Sequence, residues 1–185
     1  MNENESIRVF CEMHKGGWTR VMSKINNSMT AFNKSMQEYT NGFGEFESNN
    51  WLGLNSLRQL TNQQQMTLRI ELSNDIADSY MIEYDSFLIG PASEKFKLRV
   101  GKKVFGSLED RLSYHNGREF STYDKFSTII HCGRDYNGGW WFGECYDMCL
   151  TCQNHFAGQI CMSTCHNNSD YFYFKNTKML IRPRF

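Results

Sequence analysis

At 185 residues the chain has the length of one domain with a sizeable core, and 14 Phe, 9 Tyr and 4 Trp mark it as globular rather than disordered. Twenty basic and twenty acidic residues cancel and no basic run occurs, which excludes the electrostatic footprint of a nucleic-acid binder. No apolar stretch approaches the roughly 18 residues that a membrane helix needs.

In chain order, the N-terminal "MNENESIRVFCEMHKGGW" is polar and acidic, with neither the basic start nor the apolar run of a signal peptide. Sequons follow at Asn26-Asn27-Ser28 and Asn33-Lys34-Ser35, and a third stands at Asn167-Asn168-Ser169. Gly42 to Gly44, in "NGFGEF", lack the strand-then-helix context of a phosphate loop. Trp51, Leu54, Leu57 and Leu60 recur at helical intervals and predict a short amphipathic helix. "MTLRIELSND" then alternates Met66, Leu68, Ile70 and Leu72 against Thr67, Arg69 and Glu71, a half-buried strand. "MIEYDSFLIG" and "KFKLRVGKKV" repeat the alternation, the latter with Phe96, Leu98 and Val100 on one face. Gly90-Pro91 between them signals a turn, so the three runs predict an antiparallel meander. "SLEDRLSYHNG" predicts a second short helix from Ser107, ended by Asn116-Gly117. From Phe120 the periodicity dissolves into Gly, Asn, Asp and Cys, a loop-built lobe of the kind that concentrates binding sites. "DYFYFKNTKMLIRP" regains alternation and returns to the sheet.

Seven cysteines, six of them from Cys132 onward, indicate an oxidising compartment. Such cysteines without a leader imply an excised domain or a lost N-terminus. Cys149-x2-Cys152 with Cys161-x3-Cys165 satisfies a loose zinc spacing, with His155 and His166 nearby; two disulfides among the four, in any of three connectivities, are favoured in a secreted fold. A redox role for Cys149-x-x-Cys152 lacks the surrounding β-α-β pattern. Catalysis is not expected: His14, His115, His131, His155 and His166 are dispersed, with no nucleophile elbow and no H-E-x-x-H.

The segments "FCEMHKGGWTRV", "EYTNGFGEFESNNWLGLNSLRQLT", "LRIEL", "LSYHNGREFSTYD", "CGRDYNGGWWFGEC" and "TKMLIRP" occur in the order seen in the fibrinogen C-terminal globular domain, which the chain resembles from Phe10 to Pro183. The resemblance implies an α+β fold: a central twisted antiparallel sheet, short flanking helices and a loop-rich, disulfide-stapled C-terminal subdomain. It divides the single domain into an N-terminal subdomain (about 1–50), a sheet subdomain (51–119 plus 170–185) and a binding subdomain (120–169). It also implies a secreted recognition module that binds acetylated or anionic glycans or cell-surface ligands. The alternative is a protein-binding domain that docks a receptor or matrix partner with no sugar site. No nucleic acid and no membrane span is expected, and the parent protein is expected to gain avidity if multimeric.

Residue by residue, the resemblance pairs Cys132 with Cys145, a staple of roughly 3 kcal/mol for a loop that size. It places an acetyl pocket at Tyr136, at Glu144-Cys145 (there a cis peptide), at Tyr146 where the family usually has histidine, and at Phe156-Ala157. It leaves Cys11 without its upstream partner. Its calcium loop is reduced to Asp124, followed by Lys125 and Phe126, so calcium is expected to be lost or weakly held. Asp135 and Asp147 are remoter oxygen donors. No other cofactor is expected, and zinc is disfavoured.

Overall fold

The computed structural model describes residues 6–13, 16–25, 32–73, 79–126, 131–145, 147–152, 174 and 176–184. Its frame is a wholly antiparallel nine-stranded sheet. In chain order come β1 (Phe10–Glu12), β2 (Trp18–Lys24), α1 (Met36–Asn41), β3 (Phe43–Gly44), β4 (Asn50–Trp51), α2 (Leu54–Gln63), β5 (Met66–Ser73), β6 (Ser79–Ile89), β7 (Leu98–Val100), β8 (Lys103–Gly106), α3 (Cys132–Asp135) and β9 (Asn176–Pro183). The strands run β3-β4-β2-β9-β5-β6-β7, with β1 beside β2 and β8 beside β6.

The alternation read from the sequence sets the sheet's faces. Along β5 every second residue from Met66 to Leu72 is buried, and β6 and β7 follow it as the expected meander. Phe96, Leu98 and Val100 are all buried, and β6 ends at Ile89 just before Gly90-Pro91. The terminal strand β9 inserts between β2 and β5, pairing Met179 with Ile70 on one side and Met22 on the other. The sheet thus runs continuously through residue 50, because β2 and β4 belong to it as fully as β5 does. On the opposite face Trp18, fully buried, lies between two guanidinium groups: Arg69 at 4.1 Å and Arg182 at 4.4 Å from the ring centroid. Arg69 in turn donates from Nε to Glu83 at 2.7 Å.

Helix α2 forms where the leucine spacing predicts, burying Leu54 and Leu57. Trp51 precedes it, as part of β4. The helix is tied to β6 where Ile89 N–H donates to Thr61 Oγ1 at 3.2 Å and Arg58 donates to Ile89 O at 3.3 Å. The helix expected from Ser107 is absent; only a 3-10 turn at Ser113–His115 forms. Local side chains outcompete the helical ladder there. Asp110 accepts from Ser113 N–H, Ser113 Oγ and Tyr84 Oη, while Lys103 Nζ takes the Leu108 carbonyl. Conversely α1 goes unannounced by apolar periodicity. Its signal is the capping box Ser35-x-x-Glu38, in which Ser35 Oγ accepts Glu38 N–H and Glu38 Oε2 accepts Ser35 N–H. Asn33 of the adjacent sequon is exposed.

Candidate functional site

The lobe beginning at Phe120 lacks regular ladders yet is densely anchored. The Cys132–Cys145 disulfide, Cα–Cα 5.1 Å, closes a loop whose middle dives into the core: Trp140, Trp141 and Phe142 are all buried. Ser121 and Trp140 exchange backbone hydrogen bonds at 2.9 and 3.0 Å, docking the loop on its own entrance. Beneath it, Tyr39 of α1 donates to Phe32 O at 2.8 Å and accepts Gly139 N–H at 2.9 Å. Burial pushes that phenol well above the usual tyrosine range. Only glycine fits at 139, because a Cβ would stand 2.5 Å from the Tyr39 ring. Trp141 Nε1 donates to Phe96 O at 2.8 Å, and its ring meets Phe120 edge-on at 5.0 Å.

Two buried basic side chains complete the scaffold. His115 lies in the 3-10 turn, where its Nδ1 faces Trp141 O at 2.8 Å and its Nε2 accepts Met148 N–H at 3.0 Å. These partners require the neutral tautomer with the proton on Nδ1. Burial lowers the imidazole to about 4, against the opposing pull of the Trp141 carbonyl. Lys24 of β2 is buried and donates from Nζ to Cys152 O at 2.9 Å, across 128 residues of sequence. Burial lowers its ammonium to about 8. Nearby, Thr151 Oγ1 donates to Gly139 O at 2.6 Å. Cys149 and Cys152 are disulfide-bonded to each other, Cα–Cα 5.4 Å. That pairing rules out the two connectivities that join Cys149 and Cys152 to Cys161 and Cys165, and it removes both thiolates from any zinc set.

Of the expected pocket residues, Tyr136, Glu144 and Cys145 gather at the staple. Tyr136 caps α3, with its N–H on Cys132 O at 2.9 Å and its ring half-buried against the core. Glu144 is exposed, and its N–H donates to Tyr114 Oη at 3.3 Å. The expected cis peptide before Cys145 is absent: among the described residues every peptide is trans. The turn comes instead from Cys145 itself, at φ 62° in the left-handed region. Tyr146, Phe156, Ala157, Cys161 and Cys165 lie outside the described residues. Cys11 is exposed and unpaired among the described residues.

Asp124 braces the start of α1. Its Oδ1 accepts the first-turn N–H of α1 from Met36 at 2.9 Å and the Thr122 hydroxyl at 2.7 Å. Asp135 pairs with Arg134 at 3.1 Å and Asp147 with Arg111 at 3.2 Å. Among the described residues no group of three or more His, Cys, Asp or Glu is placed to hold a metal ion. Calcium wants six to eight oxygens with several carboxylates, so these residues do not fit it. Sequence reading missed Tyr39 and Lys24 as scaffold residues, and no local signal marks either. It takes His115, in "HNG", as a structural turn residue, which it is, without foreseeing its buried partners.

An antiparallel sheet that presents a cystine-clamped, loop-built lobe defines the molecule as a ligand-binding module carried on loops. The chain belongs to the family of the C-terminal globular domain of fibrinogen beta and gamma chains, whose family model matches residues 1–184. The domains of this family are non-enzymatic ligand-binding modules. The chain is 33% identical to ryncolin-4 of Cerberus rynchops over 98% of its own length and 55% of the relative's. It is 36% identical to mouse tenascin over 78% of this chain and 7% of that protein. The chain thus spans about half or less of the curated relatives it matches here. The solved globe domain of human ANGPTL2 superposes with a TM-score of 0.83 and 29% identity, covering 98% of this chain and 88% of that one. These relatives are secreted or extracellular proteins, and among the described residues no helix is long and apolar enough to cross a membrane.

Proposed function

We propose that this chain is a secreted recognition module whose 120–169 lobe binds acetylated or anionic glycans in a lectin-like way. Binding centres on Tyr136, Glu144 and Cys145, with Tyr146, Phe156 and Ala157 as further contacts. The carrying observation is the clamp: Cys132–Cys145 ties the short helix that Tyr136 caps to the left-handed turn at Cys145, on loops anchored by Tyr39, His115 and Lys24. A half-buried aromatic ring held by a cystine-closed loop suits a methyl group, because little entropy remains to be lost on binding. Calcium has no role in this reading.

A protein-docking reading is favoured by one observation. Tyr123 and Phe126 of the lobe are 42% and 53% exposed, and Tyr114 beside Glu144 is 42% exposed. Exposed aromatics of this kind anchor protein interfaces. The two readings part in a retention assay on acetylated and unmodified albumin. The glycan reading expects retention on the acetylated form alone, displaced by free N-acetylglucosamine and indifferent to chelator. Absence of retention, or retention that the free sugar leaves untouched, overturns it and favours docking.

A further inference from the structure

Chance produces the Asn-x-Ser/Thr pattern often, so a sequon gains weight from where the fold puts it. The chain carries sequons at Asn26, Asn33 and Asn167 and a fourth at Asn4-Glu5-Ser6. Asn33-Lys34-Ser35 is the one whose residues all lie among the described residues.

Asn33 stands at the tip of a tight turn. Lys34 N–H donates to Phe32 O at 3.0 Å, a closure that leaves Asn33 as the central residue. Both flanks of the turn are fixed. Phe32 is buried, and its carbonyl also accepts the Tyr39 hydroxyl at 2.8 Å. On the other side the Lys34 ammonium folds back to Glu38, 3.0 Å away, and Ser35 caps α1. Asn33 itself is exposed, and its carboxamide makes no hydrogen bond to any described residue. A bulky, hydrated substituent on its Nδ2 therefore breaks no contact among the described residues.

The sequon's hydroxyl fixes when such a modification can occur. In the folded chain Ser35 Oγ donates to Glu38 Oε2 at 2.9 Å and accepts Glu38 N–H at 3.3 Å, so it is engaged both as donor and as acceptor. A glycosyl transferase reads that same hydroxyl in an extended segment, which requires the capping box to be open. We propose that Asn33 is an N-glycosylation site, modified before α1 forms. The step is a redox-neutral group transfer. Nδ2 of Asn33 bonds to the anomeric carbon of an oligosaccharide, and the bond from that carbon to the pyrophosphate of a lipid-linked donor breaks. The pyrophosphate leaves with the electron pair, and one amide proton passes to a base. The assignment rests on export of the chain, as the proposed function has it, and not on what the lobe binds.

The test is expression of the full chain behind a cleavable leader in a eukaryotic host. Peptide mass spectrometry then follows peptide-N-glycosidase digestion in oxygen-18 water, which leaves a labelled aspartate at each occupied asparagine. A parallel chain with Asn4→Gln, Asn26→Gln and Asn167→Gln keeps Asn33 as its sole sequon. Most exported molecules of both chains are expected to carry the label at residue 33. Ser35→Thr should keep it, because threonine preserves both sequon and cap. Ser35→Asn should lose it while holding the thermal midpoint of the deglycosylated protein, because asparagine caps as well as serine. Offered to transferase and donor in vitro, the reduced, unfolded chain should accept the oligosaccharide far better than the folded, disulfide-intact one. An unlabelled Asn33 in the exported chains, a label that survives Ser35→Asn, or equal acceptance by folded and unfolded chains would each overturn the proposal. An exported chain that is bare at Asn33 yet retained on acetylated albumin would overturn this proposal and leave the lobe's reading standing, which keeps the two failures distinguishable.

Discussion

Acid should unfasten the lobe through His115. In the native state its Nε2 accepts the Met148 N–H and its Nδ1–H faces the Trp141 carbonyl, so a second proton has no acceptor and would oppose a buried donor. Burial therefore lowers the ring from the ordinary 6.5 to about 4. The unfolded chain takes up the proton below about 6.5 and the folded chain only near 4, so stability is fully present above 6.5 and is lost as pH falls through that window. At about 1.36 kcal/mol per pH unit, the loss between pH 7.5 and 4.5 is about 2.5 kcal/mol. Arg118 opposes protonation of the ring, and Asp147, whose backbone N–H lies 3.4 Å from Nε2, has its carboxylate held by Arg111. Urea unfolding at several pH values, with disulfides intact, measures the slope. Carboxylates such as Asp110, which Ser113 holds below the usual range against the raising effect of burial, add an acid slope of their own. The decisive quantity is thus the difference from His115→Gln, whose amide cannot charge. The variant should lose roughly 1–3 kcal/mol at pH 7.5 for its altered buried bonds, and should close that gap on acidification. Parallel pH profiles for the two proteins would refute the argument.

Lys24 predicts the mirror effect in base. With its ammonium lowered to about 8, stability should rise by about 2 kcal/mol between pH 7.5 and 9.5, then fall above 10 as the raised phenols of Tyr39 and Tyr84 oppose ionisation. Lys24→Met should remove the rise, and a rise that survives in the variant sinks the assignment. For the cystines, Cys132→Ser with Cys145→Ser should cost about 3 kcal/mol and Cys149→Ser with Cys152→Ser about 2, since the second loop is far shorter. Chemical denaturation of each pair checks the ordering, which a larger loss from the short loop would reverse. Asp124→Ala should lower stability by about 1 kcal/mol through the lost contact with the first turn of α1, equally with and without millimolar calcium. A calcium-dependent thermal shift in the parent chain that vanishes in Asp124→Ala would show instead that the carboxylate ligates the ion.

The division between what can be read in one dimension and what cannot follows the range of the forces. Period-two alternation is a local property, so β5 and β6 stand in the sequence almost residue for residue, whereas the third run, 95–104, divides between β7 and β8. The leucine spacing of α2 is legible for the same reason. The stretch from Ser107 misleads because Asp110 and Lys103 spend their side chains on backbone groups that a helix needs, a competition settled by where Tyr84 and Leu108 lie in space.

The staple between Cys132 and Cys145 and the aromatic richness of the lobe are likewise present in the chain's chemistry and its family resemblance. What the sequence by itself determined was therefore the sheet's alternation, the looped character of residues 120–152 and the cysteine supply. Tertiary structure alone decided that Cys149 bonds Cys152, that Cys145 turns through a left-handed trans peptide, and that Asp124 braces α1. It also decided that Lys24, His115 and Tyr39 carry the lobe from beneath, because a buried polar group must find its partner wherever the fold brings one.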